Sequence, residues 1–340
     1  MLVHGNYSCN QSLILCIGDY EKLKSSTSLP DEEVKHYLSY AAMFLGNGGN
    51  YKSFGDSKFI PRFSPKTLEA LAKTSSEASQ HYERCKNSFF ETKSAGHMHL
   101  GYPPSHITTY YPDSPGITEA EIAAVSDFTK EKKLLPENTR LRKLKSGDFE
   151  LLIASAESNP PNSERDAAEP SWTLDVDPVK GKKLTLVFGD HAKEMNTISE
   201  ALTQAKQYAA NDVEASMHGE YVKSFKFGSM NACVDSQRYW IKDKGPEVEC
   251  NIGFVETYRD PHGIRGEWEG FAAMVNKERT KAFGKLVESA PSQIPKLPWS
   301  KDFEKDQFMS PDFTSLEVLS FAGSGIPVRT HSRKFWRHSH

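Results

Sequence analysis

The stretch "GFVETYRDPHGIRGEWEGF", residues 253–271, mixes charges, aromatics and glycines in a way typical of neither a simple core element nor an ordinary polar loop. Glu256 ends a β-rich run, where a carboxylate that faces a cleft can receive a substrate ammonium group through a charge-assisted hydrogen bond. Tyr258 lies two residues further on and shares that face if the strand continues. A phenol beside a carboxylate can donate to a developing oxyanion.

The other charges of this stretch have two interpretations, and the residues alone leave both open. Arg259, Asp260, Arg265, Glu267 and Glu269 can belong to a functional site. They can equally form an internal network that braces a buried turn, because the Asp-Pro-His-Gly run at 260–263 is a turn signature.

Composition excludes several classes of protein. The chain has 340 residues and a formal net charge of -3, so it has no basic excess for nucleic acid. The run "SLILCIG" at 12–18 is too short to span a bilayer and lacks the flanks of a signal peptide, so we expect no membrane and a cytoplasmic location. The 5 cysteines are scattered without a C-x-x-C pair, which argues against a disulfide framework and a zinc ribbon.

The first half of the chain carries helix signals. Start signals at 28–32 precede an apolar pattern of helical spacing, which we expect to end at Gly46. A glycine-rich loop at 46–63 follows, and Ser64 with Pro65 predicts another short helix.

Strands and further helices follow. Thr118 and Glu121 form a capping box that predicts a helix to about residue 135. Alternating apolar residues between about 140 and 190 predict strands, with a hairpin turn at 146–148. Helices are then expected at 191–228, with a break near Asn211, and at 269–289. The predicted class is therefore α+β, with helices around a small twisted sheet or barrel.

The sequence offers little for a metal or a nucleotide. It contains no H-E-x-x-H, and His97 with His99 has no third ligand nearby in sequence. His191 and Glu194 are one helical turn apart, which a solvated helix start explains as well. The glycine-rich loop lacks the G-K-[ST] of a phosphate-binding loop. We expect no metal site within this chain.

The segment "IGFVETYRDPHGIRGEWEGFAAMVNK" at 252–277 resembles the hallmark segment of dipeptidyl peptidase III, a family of zinc exopeptidases that remove dipeptides from peptide N-termini. The resemblance extends in order from about Tyr20 to Pro327. It includes the segments "GNYKSFGDSKFIPR" (49–62), "RYWIKDKGPEVE" (238–249) and "LPWSKDFEKDQFMSPDFTSLEVLSFAGSGIP" (297–327).

The resemblance implies a two-lobed α+β fold with a wide cleft, a lower lobe built on a five-stranded β-barrel with surrounding helices, and an upper helical lobe that holds zinc. It also implies a cytoplasmic enzyme that acts on short peptides. Five divisions are expected along the chain. They are an atypical N-terminal segment (1–19), the lower lobe (20–275), the start of the upper lobe (276–314), a return to the lower lobe (315–327) and a basic tail (328–340).

The resemblance also assigns roles to residues. Glu256 would grip the substrate α-ammonium group, Tyr258 would steady the tetrahedral intermediate, and Phe54 would line the substrate pocket. The resemblance assigns no such role to the remaining charges, and the residues themselves make better candidates for bracing this substrate-binding surface and its turn than for catalysis: Arg259, Asp260, Arg265, Glu267 and Glu269.

The sequence departs from the family at its metal site. The family's zinc motifs, H-E-x-x-G-H and E-E-x-R-x-E, do not occur, and the last residues read "VRTHSRKFWRHSH" at 328–340. We therefore expect an incomplete N-terminal portion of the enzyme, with the upper lobe largely missing, no bound zinc and no peptidase activity alone. The alternatives are a non-catalytic peptide-binding or regulatory module and, third, a metal-free enzyme of another class.

Overall fold

The structure is a computed structural model that describes residues 20–52, 56–93, 95–114, 116–310 and 313–323. Helices and two β-sheets make up this part of the chain, so the predicted α+β class is confirmed. The buried apolar side chains form three clusters, one among the N-terminal helices and one with each sheet.

The described chain opens with helices α1 (Tyr20–Ser26), α2 (Asp31–Asn47), α3 (Pro65–Ala72), α4 (Ser76–Phe90) and α5 (Ala95–Met98). Their shared core is rich in aromatic rings. The Tyr40 ring lies 5.3–6.2 Å, between centroids, from the rings of Phe44, Phe59, Phe63 and Phe89. Such pairs contribute about 0.5–1.5 kcal/mol each beyond the burial of their area, so this cluster holds the helices together.

The predicted ends of these helices are nearly right. Helix α2 continues past Gly46 to Asn47, because Gly48 is the glycine that adopts the left-handed conformation, with φ 63°. The start of α3 is confirmed, since the Ser64 hydroxyl accepts a hydrogen bond of 3.2 Å from the Thr67 amide.

The predicted capping box opens helix α6 (Glu119–Glu131). The Thr118 amide donates to Glu121 Oε2 at 2.9 Å, and the Glu121 amide donates to Thr118 Oγ1 at 3.3 Å. The helix ends before residue 135 because Lys133 turns the chain with a positive φ of 58°.

A four-stranded sheet follows, formed by β1 (Thr139–Lys143), β2 (Phe149–Ala154), β3 (Ser171–Thr173) and β4 (Lys183–Asp190). Its order is β1-β2-β4-β3. β2 and β4 are parallel, and both outer strands are antiparallel to their neighbours. The predicted hairpin is confirmed, with Gly147 at φ 86° in its turn.

Three helices connect the sheets: α7 (Ala192–Lys206), α8 (Asp212–Phe227) and α9 (Met230–Trp240). The predicted break near Asn211 is confirmed, because the Asn211 side chain accepts a hydrogen bond of 2.9 Å from the Glu214 amide and so caps α8.

The second sheet contains β5 (Val248–Phe254) and β6 (Trp268–Val275), then β7 (Leu316–Ala322) after helix α10 (Lys277–Gln293), in the order β5-β6-β7. The predicted helix at 269–289 is wrong in its first part, which forms the central strand of this sheet. β6 hydrogen-bonds to a neighbour on each side, and this tertiary pairing outweighs the helical spacing of its apolar residues.

The predicted β-barrel is not found among the described residues. Their strands form two separate open sheets, and the outer strands β1 and β3 lie at opposite edges of the first sheet without pairing. A barrel requires its first and last strands to pair, so the described strands form no closed barrel.

Within the described residues, we find no helix with the length and apolar character needed to cross a membrane. The cysteines Cys85, Cys233 and Cys250 of this part are buried and are not joined in disulfides.

Candidate functional site

Glu256 and Tyr258 lie just past the end of β5, at the rim of the second sheet. The pairing of β5 with β6 extends one step beyond both strands, because the Val255 amide donates to the Glu267 carbonyl at 3.0 Å and the Glu267 amide donates to the Glu256 carbonyl at 2.8 Å. The backbone of Glu256 is therefore fixed while its side chain is exposed. Tyr258 is half-buried beside it in sequence.

The turn that follows is organised around the buried carboxylate of Asp260. It accepts hydrogen bonds from the Tyr111 hydroxyl at 2.8 Å and from the amides of His262 at 3.2 Å, Ile264 at 3.0 Å and Arg265 at 2.9 Å. Bonds to an ionised acceptor are stronger than neutral ones, so this one side chain sets the path of the turn.

Arg265 supplies the counter-charge for Asp260. Its side chain is 1 % exposed, with Nη1 lying 3.8 Å from Asp260 Oδ2. The guanidinium also lies over the Tyr111 ring, 5.2 Å from the centroid. An arginine this deeply buried needs such partners, because an unpaired buried charge costs several kcal/mol.

Arg259 connects the turn to the glycine-rich loop near the N-terminal helices. Its Nη2 donates to the Asn47 carbonyl and, at 3.2 Å, to the Tyr51 carbonyl. Its Nη1 lies 3.6 Å from Glu267 Oε2. A single buried guanidinium thus joins the loop at 46–51, the turn and the start of β6.

Glu267 and Glu269 stand two residues apart across the start of β6. Burial raises the pKa of Glu267 to about 7, although the nearby Arg259 acts to lower it. Burial also raises the pKa of Glu269 to about 7, assisted by the negative charges of Glu256 and Glu267. The three carboxylates therefore share one electrostatic environment.

Tyr258 belongs to this environment too. Burial, together with the negative charges of Glu269 and Glu256, raises the pKa of Tyr258 to about 12. The phenol is therefore protonated at neutral pH and lies beside a carboxylate-rich surface.

The structure brings together most of the predicted site residues. Glu256, Tyr258 and Glu269 interact electrostatically at the rim, and the other supporting residues are buried around the turn: Arg259, Asp260, Arg265 and Glu267. Phe54, the third predicted substrate-binding residue, lies outside the described residues.

Sequence reasoning missed two participants. Tyr111 binds Asp260 from 149 positions away in the chain, and the Asn47 carbonyl binds Arg259 from 212 positions away. The local sequence at 108–111, "TTYY", carries no signal for such a contact.

The residues present do not fit a zinc ion. Within the part of the chain that the structure describes, no group of three or more histidine, cysteine, aspartate or glutamate side chains could hold a metal ion. A catalytic zinc site requires three protein ligands, usually including histidine. The predicted absence of zinc from this chain stays a prediction.

The chain is similar to known proteins. The profile described as Peptidase family M49 matches residues 81–331. The chain is 45% identical over 300 residues to Dipeptidyl peptidase 3 of Dictyostelium discoideum, in an alignment that covers 88% of this chain and 41% of that protein. It is 41% identical over 313 residues to Dipeptidyl peptidase 3 of Homo sapiens, with 88% and 41% covered.

Among solved structures, the chain is similar to that of DPP III from Caldithrix abyssi, at a TM-score of 0.48 and 13% identity, covering 91% of this chain and 50% of the other. The chain spans about 41% of the length of the two curated relatives.

Proposed function

Because the chain belongs to peptidase family M49, we propose that it supplies the floor on which a dipeptidyl peptidase receives the N-terminus of a short peptide. The observation that carries this proposal is the pairing of an exposed carboxylate, Glu256, with a protonated phenol, Tyr258, on a buried ionic scaffold. The similarity to two proteins named Dipeptidyl peptidase 3 supports peptides as the substrate class.

Each residue has a distinct task in this proposal. Glu256 receives the α-ammonium group of the peptide through a charge-assisted hydrogen bond. Tyr258 donates to the oxygen that becomes negative when the peptide bond is attacked. Arg259, Asp260, Arg265, Glu267 and Glu269 hold this floor, and the buried ion pairs around the turn support that bracing role.

Phe54 stays a proposed wall of the substrate pocket. Support comes from Arg259, which fixes carbonyls of Asn47 and Tyr51 in the same glycine-rich segment. The segment that contains Phe54 therefore begins at a point anchored to the turn of Asp260.

We further propose that the chain by itself neither holds zinc nor hydrolyses peptides. The zinc motif H-E-x-x-G-H is absent from the 340 residues, and the described residues contain no alternative group of ligands. In a complete family member, zinc would activate the attacking water at residues outside this chain.

The expected division near residue 276 is also a proposal. The side chains of α10 and β7 are all half-buried or exposed, and they include large apolar residues such as Leu286 at 63 % and Phe303, in the following segment, at 83 % exposure. Exposed apolar groups of this kind usually mark a contact surface. Their exposure supports 276–314 as the start of a second lobe that further polypeptide covers.

The test of the peptide site uses the purified chain, a pentapeptide with a free N-terminus and the same peptide N-acetylated. Isothermal titration should show that acetylation, or Glu256→Gln, weakens binding roughly 10–100-fold, the loss of one charge-assisted hydrogen bond of about 1.5–3 kcal/mol. Glu278→Gln, at the exposed start of α10, is the matched control and should bind as the unaltered chain does. Equal binding of both peptides would contradict the role of Glu256.

The test of inactivity measures zinc content and release of a dipeptidyl-arylamide reporter on the same preparation. One bound zinc per chain together with turnover would refute the proposal of an inactive portion. Turnover that appears only when a polypeptide carrying H-E-x-x-G-H is added would distinguish this proposal from a non-catalytic peptide-binding module.

A further inference from the structure

Tyr110 is a buried tyrosine that reaches from the first sheet towards the second. Only 4 % of the residue is exposed, and its carbonyl accepts a hydrogen bond of 2.9 Å from the Leu141 amide of β1. Its own amide donates to Thr108 Oγ1 at 3.2 Å. The backbone of Tyr110 is therefore fixed at the outer strand of the first sheet.

The side chain of Tyr110 acts on Glu267. The Tyr110 hydroxyl hydrogen-bonds to the Glu267 carboxylate, and both residues line the small pocket between the sheets. Burial, with the negative charges of Glu267 and Asp260 adding to it, holds the pKa of the Tyr110 phenol well above its usual value. The phenol therefore keeps its proton, and it is the donor in this hydrogen bond whenever Glu267 is ionised.

Glu267 in turn pairs directly with Glu256 through its backbone. The Glu267 amide donates to the Glu256 carbonyl at 2.8 Å, just beyond the last paired residues of β5 and β6. The side chain of Glu267 is buried and interacts with both Tyr110 and Arg259, whose Nη1 lies 3.6 Å from Glu267 Oε2. The position of Glu267, and through it the position of Glu256, therefore depends on contacts that include Tyr110.

The next residue in the chain, Tyr111, has the same relation to the other buried ion pair of the turn. Its hydroxyl donates to Asp260 Oδ1 at 2.8 Å and accepts from Arg265 Nη1 at 3.3 Å. Consecutive tyrosines thus supply one phenol to each of the ion pairs Arg259–Glu267 and Asp260–Arg265. This repetition supports a role for the segment at 110–111 in placing the turn.

We propose that Tyr110 is a positioning residue of the peptide site, which holds Glu267 so that Glu256 presents its carboxylate to the α-ammonium group of the peptide. The first sheet thereby contributes to peptide binding without contacting the peptide. This inference rests on the proposed function, because that function assigns the α-ammonium group to Glu256. A tyrosine that only filled space would be replaceable by phenylalanine with no specific effect on Glu256.

The experiment uses Tyr110→Phe in the full chain, which keeps the ring and removes the hydroxyl. Carbon-13 NMR titration of the Glu267 carboxyl, assigned by the loss of its signal in Glu267→Gln, should give a pKa about 0.5–1 higher than in the unaltered chain, because the carboxylate loses a donor. Arg259 and Asp56 also act on this carboxylate and stay unaltered. Tyr208→Phe removes the hydroxyl of an 86 % exposed tyrosine and is the matched control, with no change expected.

Isothermal titration tests the consequence for binding, with the pentapeptide and its N-acetylated form. Tyr110→Phe should weaken binding of the free peptide roughly 3–10-fold and leave binding of the acetylated peptide unchanged. General destabilisation of the chain would weaken the binding of both peptides equally. The ratio of the two affinities therefore separates positioning of Glu256 from a purely structural role.

The proposal is overturned if the pKa of Glu267 is the same in Tyr110→Phe as in the unaltered chain, or if the ratio of affinities is the same. A crystal structure of the unaltered chain does not depend on whether the variant folds, and a Tyr110 Oη more than about 3.5 Å from both Glu267 oxygens would also overturn the proposal. If the unaltered chain binds both peptides equally, the proposed function fails and this role of Tyr110 fails with it, whereas a raised pKa of Glu267 in the variant would still report the contact itself.

Discussion

Asp260 is the residue whose replacement should disturb the candidate site most, and Asp260→Asn is the sharpest test of its role. The substitution keeps the size of the side chain and removes its charge. In the structure this carboxylate accepts from three backbone amides and the Tyr111 hydroxyl, and it balances the buried guanidinium of Arg265. An asparagine has only one acceptor oxygen, so at least one of those donors loses its partner.

The expected loss follows from these contacts. One buried unsatisfied donor costs about 1–3 kcal/mol, and breaking a buried ion pair from one side costs about 3–5 kcal/mol. Since asparagine keeps part of the hydrogen bonding, we expect the free energy of unfolding to fall by about 3 kcal/mol. With a urea slope of about 3 kcal/mol per molar, the midpoint should fall by about 1 M.

The assay is urea unfolding followed by circular dichroism, and Asp235→Asn is the matched control. Asp235 also pairs with an arginine, since Arg238 Nη1 lies 2.5 Å from its Oδ1, but both side chains are about half exposed. Exposed pairs contribute at most about 1 kcal/mol, so the control should shift the midpoint by less than about 0.3 M. If Asp260→Asn destabilises the chain no more than Asp235→Asn, the buried carboxylate does not organise the turn.

Three further predictions concern other parts of the chain. Burial raises the pKa of Glu269 from 4.5 in the unfolded chain to about 7 in the folded one, so the folded state binds the extra proton and stability is lost as pH rises through 7. The urea midpoint of Glu269→Gln should therefore fall less between pH 5 and pH 8 than that of the unaltered chain. An identical fall in both would contradict the raised pKa of Glu269. Thr118→Ala removes the cap of α6 and should lower the free energy of unfolding by about 1 kcal/mol, whereas an unchanged urea midpoint would argue against the capping box. Leu286→Ser, at an exposed position, should leave the urea midpoint unchanged and reduce self-association measured by light scattering. Leu71→Ser, in the buried N-terminal core, should lower the free energy of unfolding by about 2 kcal/mol or more. Equal destabilisation by the two substitutions would show that α10 is packed in solution.

The features that were predicted correctly depend on residues close together in sequence. The capping box of α6 needs only Thr118 and Glu121, and the first hairpin needs a turn with Gly147 and alternating apolar residues. Such signals act within a few residues, so the structures that they predict do not depend on contacts with distant parts of the chain.

The predictions that are wrong concern residues whose secondary structure is decided by segments distant in sequence. The residues at 268–275 have apolar spacing that fits a helix, yet pairing with β5 and with β7, more than forty positions later, makes them a strand. The barrel expected from the family resemblance depends on which strands pair at the edges, and local patterns do not contain that information.

For the candidate site too, the local sequence indicates some features and not others. The unusual density of charges at 253–271 left two interpretations open, a functional site and an internal ionic network, and the structure buries Arg265 and Glu267 of this stretch. The partners of that network could not be predicted, because Tyr111 and the Asn47 carbonyl come from distant parts of the chain.

The reach of Arg259 has a consequence for how the protein is made. Its guanidinium binds the Asn47 and Tyr51 carbonyls, 212 and 208 positions earlier in the chain. During synthesis at about 5–20 residues per second, the glycine-rich loop therefore spends roughly 10–40 s outside the ribosome before its anchor is translated. The N-terminal helices can pack in that interval around their own aromatic core, but the loop at 46–51 acquires its final anchor only after the hallmark segment emerges. Protection of this loop from proteolysis should thus be among the last events of folding, and nascent chains that end before residue 259 should be cut there.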